Sequence, residues 1–290
     1  MNELQVLILG LLLGGVYALM ASGLTLLFGV MRVVNLAHAA FIVVGAYGAY
    51  FAFELLGLDP FVALGLIMPA FFLLGMGLYR LLFPRIEGSP RFGEMTVLMT
   101  FGLALIIEGL LAFYFTGIFR SVDPPYATQA FILGPVFVPR AQLYASLTSV
   151  VLLMGLWAFL RMTRTGYAIR ATMQNRVAAQ VVGVNVRRIS TVSFGIGMAL
   201  AGAAGTLVSF IFTFFPARHW QWIAILLALI VLGGMGSLKG AVVGAVVLAV
   251  ASSFVSDRIG PTWAPMTFFA ALFVTLMVRP RGLFGKEIDR

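Results

Sequence analysis

The sequence predicts an all-α, polytopic transmembrane helix bundle of about eight helices, with a broken or re-entrant element near residues 233–240. Three observations lead to this fold class: 61% of the 290 residues are hydrophobic, only 10% are charged, and the apolar residues fall in runs of about 20. Such a chain carries more apolar surface than a soluble core of its size can hide. One transmembrane domain over residues 1–290 accounts for the whole sequence.

The apolar runs are spaced along the entire chain. The first follows an acidic rather than a basic start and is long enough to span, so we expect a helix that stays and not a cleaved signal. With about 20 residues per crossing, the expected spans are residues 4–28, 36–56, 60–79, 95–115, 143–160, 188–213, 222–256 and 262–278.

The stretch 222–256 is too long for one ordinary helix and contains the glycine-rich sequence GGMGS at 233–237. If it makes two crossings or a hairpin, most arginines and the basic tail RPRGLFGKEIDR, with Lys286 and Arg290, fall on the cytoplasmic side. A single crossing would place that tail outside. We therefore expect a break at the glycines, an N-terminus outside and a cytoplasmic C-terminus.

The charge balance is strongly basic, with 19 Lys and Arg against 10 Asp and Glu and a net charge of +9. Because the arginines sit mostly in short loops, they indicate membrane orientation, and no nucleic-acid partner is expected. The absence of cysteine excludes disulfides and thiolate metal sites.

The longest expected outer loop covers residues 116–142. It contains Asp123-Pro124-Pro125 and Gly134-Pro135, which predict order imposed by proline rather than regular structure. This loop is either an outer lid or docking surface, or a plain connector.

Motifs for several kinds of chemistry are missing. No G-x-x-x-x-G-K-[ST] sequence is present, so the chain is not expected to bind ATP through its own P-loop. Neither H-E-x-x-H nor G-x-S-x-G occurs, and His38 and His219 have no acidic neighbour in the sequence. We therefore expect no catalytic residues and no metal site.

Residues 161–190 form the one long polar interruption, with six arginines and no acid. A basic amphipathic segment between two apolar spans is where a soluble partner would contact a membrane protein. Ala178 and Ala179 permit close backbone contact with a partner, and Gly183 is suited to end a helix with positive φ. The alternative is a basic loop that only sets topology.

This pattern resembles the coupling loop of ATP-binding-cassette importer permeases, Glu-Ala-Ala, three residues, then Gly, with Val177 in place of the usual acid. Three further stretches are similar to the branched-chain amino-acid permeases of that class, in the same order and spacing, over residues 5 to 285. They are GLTLLFGVMRVVNLAH at 23–38 with Gly45-Ala46-Tyr47, RATMQNRVAA at 170–179, and the glycines 233, 234, 236, 240 and 244.

The resemblance implies a permease subunit in a bacterial-type cytoplasmic (inner) membrane. It would form the path for branched-chain amino acids or related small amphipathic solutes delivered by an extracytoplasmic binding protein. The implied partners are a second related permease and two ATPase subunits, which bind the ATP and Mg, so this chain holds no cofactor and is not an enzyme by itself. The implied coupling residues are Arg170, Asn175, Arg176, Ala178, Ala179 and Gly183.

Several polar residues and glycines are candidates for the transport path. Asn35 and His38 lie where the first span gives way to the second, and either face a water-filled path or satisfy backbone groups. Glu108 lies within a span, where an unpaired charge costs at least ~2.5 kcal/mol. It either meets the ammonium group of a solute or bonds between helices.

The glycines 233, 234 and 236 are also path candidates, because unwound backbone at membrane depth presents carbonyl groups to a solute. The alternative is that they only allow a tight turn between two short helices. For the whole protein, the alternative function is a stand-alone secondary carrier or channel. Glu108 and His38 would then have to serve as its ion-coupling residues, and two residues are few for that role. A membrane scaffold is disfavoured by the glycine break and the buried acid.

Overall fold

The computed structural model describes residues 2–285 and confirms the predicted helical bundle; the tail with Lys286 and Arg290 lies outside the described residues. Within this range, eight segments are long and apolar enough to cross a membrane. The α-helices are α1 (Glu3–Met31), α2 (His38–Leu56), α3 (Pro60–Leu82), α4 (Phe92–Phe115), α5 (Arg140–Met162), α6 (Arg164–Gln174), α7 (Arg176–Val181), α8 (Val186–Val208), α9 (Arg218–Gly233), α10 (Leu238–Arg258) and α11 (Met266–Val278). Short 3-10 helices cover Phe83–Arg85 and Pro261–Trp263, and the strands are β1 (Ala130–Leu133) and β2 (Val136–Pro139).

Helix α8 forms the centre of the bundle, because 89% of its span is buried. Small residues let its backbone approach its neighbours closely. Gly45 of α2 lies against the carbonyl of Gly202, and Gly205 lies against the carbonyl of Ile42. These contacts leave no space for a Cβ atom between α2 and α8.

The helix in the position of the sixth predicted span ends earlier than predicted. It was expected to reach residue 213, but α8 ends at Val208. The backbone after it pairs instead with the connector that follows α4: Val122 N donates to the carbonyl of Ser209 at 2.9 Å, and Arg120 pairs with Phe214. Hydropathy alone does not detect this change, because the residues involved remain apolar.

The expectation that 116–142 lacks regular structure is wrong in part. β1 and β2 form an antiparallel hairpin in which Leu133 pairs with Val136. Gly134, with φ +60°, supplies the positive dihedral that a two-residue turn requires. The Gly134-Pro135 pair therefore closes a hairpin rather than an irregular loop.

The bundle has two distinct ends. At the N-terminal end, where α1 begins, Glu3 pairs with Arg258 at 2.7 Å. There the Tyr126 hydroxyl lies 3.5 Å from the carboxylate of Asp59. Burial raises the pKa of Tyr126, and the negative charge of Asp59 raises it further. We call the opposite end the basic end, because residues 161–190 lie there.

The predicted break near 233–240 is present. α9 ends at Gly233, Gly234 and Gly236 have φ values of +96° and +83°, and α10 begins at Leu238. The carbonyl of Gly233 lies against Gly240, so the two helices leave the turn in close contact. α9 has 16 residues, or about 24 Å, which is shorter than the ~30 Å core of a bilayer. The stretch 222–256 is therefore two helices joined by a tight turn at the basic end.

The side chain of Gln5 fixes the hairpin to α1. Its Nε2 donates to the carbonyl of Phe137 at 2.5 Å, and its Oε1 accepts from Phe137 N at 2.6 Å. We expect Gln5→Ala to loosen the hairpin, because two backbone groups lose their partners at about 1–3 kcal/mol each. Limited chymotrypsin digestion should then cut within 130–139 faster than in the wild type. Gln174→Ala, at an exposed position, is the control, and equal rates for the two variants would contradict the role of Gln5.

Candidate functional site

Helices α6 and α7 make up most of the predicted coupling segment at the basic end. Thr163 Oγ1 accepts from Gly166 N at 2.9 Å to start α6, and Asn175 Oδ1 accepts from Ala178 N at 2.9 Å to start α7. Gly183 follows α7 with φ +87°, as its position predicted. Asn175 and Gly183 therefore set the two limits of the short helix α7.

Helix α7 and the residue that follows it expose three valines. Val177, Val181 and Val182 are 69%, 82% and 77% exposed, and we call these three residues the valine tip. Ala178 is exposed beside them, whereas Ala179 is only 3% exposed and packs within the chain. Sequence reasoning missed Val181 and Val182, although apolar residues four apart in a basic segment are a detectable signal.

Side chains connect this segment to the rest of the bundle. Arg176 pairs with Glu87, in the connector between α3 and α4, at 2.8 Å. Arg170 Nε donates to the carbonyl of Leu160 at the end of α5 at 3.0 Å. Arg32, just after α1, donates to the carbonyl of Met173 at 3.0 Å. These contacts therefore join α6 and α7 to the end of α1, the end of α5 and the connector between α3 and α4.

Asn35 and His38 lie in the packed interior between α1 and α2. His38 is completely buried, and its Nε2 lies 3.2 Å from the carbonyl of Met20. Asn35 Oδ1 accepts from Ala37 N at 3.1 Å. These contacts favour backbone satisfaction over contact with a water-filled path, and a role of either residue in transport stays a prediction.

The carbonyls at the glycine break are occupied by the chain itself. Leu283 N donates to the carbonyl of Leu232 at 2.8 Å, and Phe284 N donates to the carbonyl of Gly233 at 3.1 Å. The C-terminal segment therefore caps α9. This arrangement favours a structural turn at Gly233, Gly234 and Gly236, and their role as path residues stays a prediction.

Glu108 lies in α4, seven residues before the helix end at Phe115, or about 10 Å along the axis. Its Oε2 accepts from Trp220 Nε1 at 2.9 Å and lies 3.1 Å from His219 Nε2. The Glu108 side chain is 24% exposed, whereas that of His219 is 1% exposed. The structure thus joins a predicted site residue to the first turn of α9.

Two members of this cluster were missed by sequence reasoning. The statement that His219 has no acidic neighbour holds along the chain but is wrong in space, because Glu108 is 111 residues away in sequence. Trp220 carries no sequence signal that separates it from other interfacial aromatic residues. Only the side-chain contacts between α4 and the first turn of α9 reveal the cluster.

A groove of about 1090 Å³ lies between α3, α5 and α8. Its walls are mostly apolar, and its charged groups are Arg164 and Arg188 at the basic end. The groove therefore lacks the carboxylate that distinguishes the cluster around Glu108.

The described chain combines eight membrane-length helices with a carboxylate at membrane depth and an exposed apolar tip at the basic end. This combination is typical of the membrane subunit of a transporter. The chain belongs to the family described as branched-chain amino acid transport system / permease component, which matches residues 6–277. It is therefore a permease subunit and a multi-pass inner-membrane protein.

Curated relatives agree over the full length of the chain. It is similar to the high-affinity branched-chain amino acid transport system permease protein BraD of Pseudomonas aeruginosa, with 26% identity covering 100% of this chain and 98% of the relative. The corresponding LivH of Escherichia coli is 26% identical, covering 99% and 97%. LivM of the same organism is 33% identical over 41% of this chain and 28% of its own length. The chain thus resembles two different permease proteins of one named transport system.

Proposed function

We propose that this chain forms part of the translocation path of an ATP-driven importer for branched-chain amino acids or related small amphipathic solutes. An extracytoplasmic binding protein delivers the solute, and two separate ATPase subunits bind ATP and Mg. The names of the relatives support the solute class. The geometry of α6 and α7 supports a soluble partner at the basic end.

The valine tip is the observation that carries this proposal. Three valines, each at least 69% exposed, project from a basic element that is anchored to the bundle through Arg170 and Arg176. A contiguous apolar patch on a structured element indicates a contact surface. The partner is the ATPase, so the basic end faces the cytoplasm and the N-terminal end faces outside, in agreement with the excess of arginine.

Coupling follows from the anchors of the segment. When the ATPase pair closes, α7 moves with it, and the Arg176–Glu87 pair transmits the movement to the connector between α3 and α4. The bond from Arg32 to the carbonyl of Met173 transmits it to the junction of α1 and α2. Asn175 and Gly183 keep α7 short, so that little of the displacement is lost within the segment itself.

A second, related permease covers the side of α4 that is turned away from the rest of this chain. This helix is buried along one narrow stripe, Thr96, Thr100, Ala104 and Leu111. Glu108 lies in line with this stripe between Ala104 and Leu111, yet it is partly exposed, and a carboxylate facing lipid at membrane depth costs ~2.5 kcal/mol or more. We therefore assign a water-filled path and the partner permease to this face.

The proposal is tested by purifying the tagged chain from its native membrane in mild detergent and identifying co-purifying proteins by mass spectrometry. We expect a P-loop ATPase and a second hydrophobic subunit. Val181→Asp should reduce recovery of the ATPase at least ~10-fold, since a charge must then be desolvated at the contact. The second permease should be retained.

Gly88→Asp is the matched control, because it adds the same charge in the connector before α4, where a side chain meets nothing within 4 Å. Equal ATPase recovery from the two variants would remove the valine tip as the contact. A chain that purifies alone, in a detergent shown to preserve such complexes, would favour the stand-alone carrier instead.

A further inference from the structure

We propose that Glu108, Trp220 and Phe101 form a binding site for the primary ammonium group of the transported solute. The inference rests on the proposed import function and narrows the class of transported solutes to those with an ammonium group. Solutes with an ammonium group are selected over urea and neutral amides by this subunit, in addition to any selection by the binding protein.

The carboxylate of Glu108 is held so that one oxygen remains available. Trp220 Nε1 and His219 Nε2 both contact Oε2, at 2.9 and 3.1 Å. Within residues 2–285, no group donates a hydrogen bond to Oε1, and the side chain keeps 24% exposure. The two donors of α9 thus orient the carboxylate, while Oε1 keeps no donor from the described chain.

The described chain places no lysine or arginine against the Glu108 carboxylate. His219 Nδ1 is buried and has no hydrogen-bond partner in the described part of the chain. A protonated imidazole would leave a buried N–H donor unpaired there, at a cost of about 1–3 kcal/mol. The neutral tautomer with its proton on Nε2 still donates to Glu108, and it leaves an unpaired acceptor at Nδ1 but buries no charge. No lysine or arginine within residues 2–285 forms a salt bridge with Glu108, so its charge is not cancelled.

An aromatic pair adjoins the carboxylate through Trp220. The indole of Trp220 lies 5.5 Å from the ring of Phe101, centroid to centroid, and Phe101 is 40% exposed. An ammonium group is attracted to the face of tryptophan or phenylalanine, more strongly when it is desolvated. A carboxylate in contact with one ring of an aromatic pair is therefore suited to bind a small cation at membrane depth.

The chemistry separates solute classes. A primary ammonium has three donors and a full positive charge, so it gains both from Oε1 and from the rings. Urea and neutral amides also offer donors, but they carry no charge to compensate the carboxylate. The geometry thus favours amino acids and amines over neutral amides.

The test uses the complete transporter in proteoliposomes, with radiolabelled leucine as the probe. Leucine uptake and binding-protein-stimulated ATP hydrolysis are measured together. We expect Glu108→Gln to reduce uptake at least ~10-fold while hydrolysis stays within about 2-fold of wild type, because docking and coupling are left intact. Glu108→Asp, which keeps the charge, should restore part of the uptake. Trp220→Phe, which keeps a ring but loses the donor, should fall between them.

Glu54→Gln is the control, because Glu54 is an exposed carboxylate near the end of α2. Uptake by Glu108→Gln within 2-fold of wild type overturns the site. Loss of both uptake and hydrolysis, with the complex no longer assembling, also overturns it, because Glu108 would then only join α4 to α9. If the wild-type complex hydrolyses ATP but takes up no leucine, the proposed solute class fails instead.

Discussion

Gly205→Ala is expected to lower the stability of the bundle by about 3 kcal/mol or more, the upper end for overpacking. The added Cβ would lie 2.2 Å from the carbonyl oxygen of Ile42, 2.8 Å from Ala46 N and 2.9 Å from Gly45 C. All three atoms belong to the backbone of α2, so no side-chain rotation relieves the contact. The helices α2 and α8 must separate, and α8 is the most buried span.

Helix propensity alone would predict the opposite effect of Gly205→Ala on stability. Alanine is favoured over glycine inside a helix by ~1 kcal/mol, so an open site should tolerate or benefit from the change. Gly155→Ala in α5 is such a site, because its Cβ would meet nothing within 4 Å. Thermal unfolding in detergent should show a fall of roughly 6–12 °C for Gly205→Ala, and little change for the control. Equal melting temperatures would contradict the packing of α2 on α8.

Gly234→Ala is expected to release the C-terminal segment from α9. The backbone at Gly234 has φ +96° and ψ +114°, a conformation that costs a residue with a Cβ about 1–3 kcal/mol. The new Cβ would also lie 2.4 Å from Gly285 N and 2.9 Å from Phe284 C. Relief requires the segment to move, and the bonds from Leu283 N and Phe284 N to the end of α9 are then lost.

Trypsin digestion measures this release. Cleavage after Arg281 should be faster in Gly234→Ala than in the wild type, and the melting temperature should fall. Gly57→Ala is the control that separates backbone strain from steric overlap. Gly57 also has a positive φ, +63°, but a Cβ there would meet nothing within 4 Å. If Gly57→Ala and Gly234→Ala melt alike and the cleavage rate is unchanged, the capping role of the segment is wrong.

Most of the helical architecture was predictable because it depends on local composition. A span needs about 20 apolar residues, and this requirement leaves a mark in sequence that needs no tertiary contact. The break at Gly233 was predictable for the same reason, since its signal is a run of glycines inside an apolar stretch. The end of α8 was not, because Ser209 and Phe214 leave the helix to pair with the distant connector at Arg120 and Val122.

The candidate site was predictable only in part. Glu108 is visible in sequence because an acid within an apolar run is expensive. Its partners are not visible, because only the fold brings the side chains of His219 and Trp220, in the first turn of α9, to Glu108. Ala179 was named from its motif as a coupling residue, but the fold buries its side chain and exposes the valine tip. A role of Ala179 in coupling stays a prediction.

The sequence by itself therefore determined the membrane class, the number and order of the long spans, the glycine break and the family resemblance, because each follows from residues that are close together in the chain. Tertiary structure alone decided which residues meet. It joined Glu108 to α9, buried His38 between α1 and α2, and placed residues 283 and 284 on the end of α9. These are contacts between distant segments, and their geometry depends on how the helices pack rather than on any local pattern.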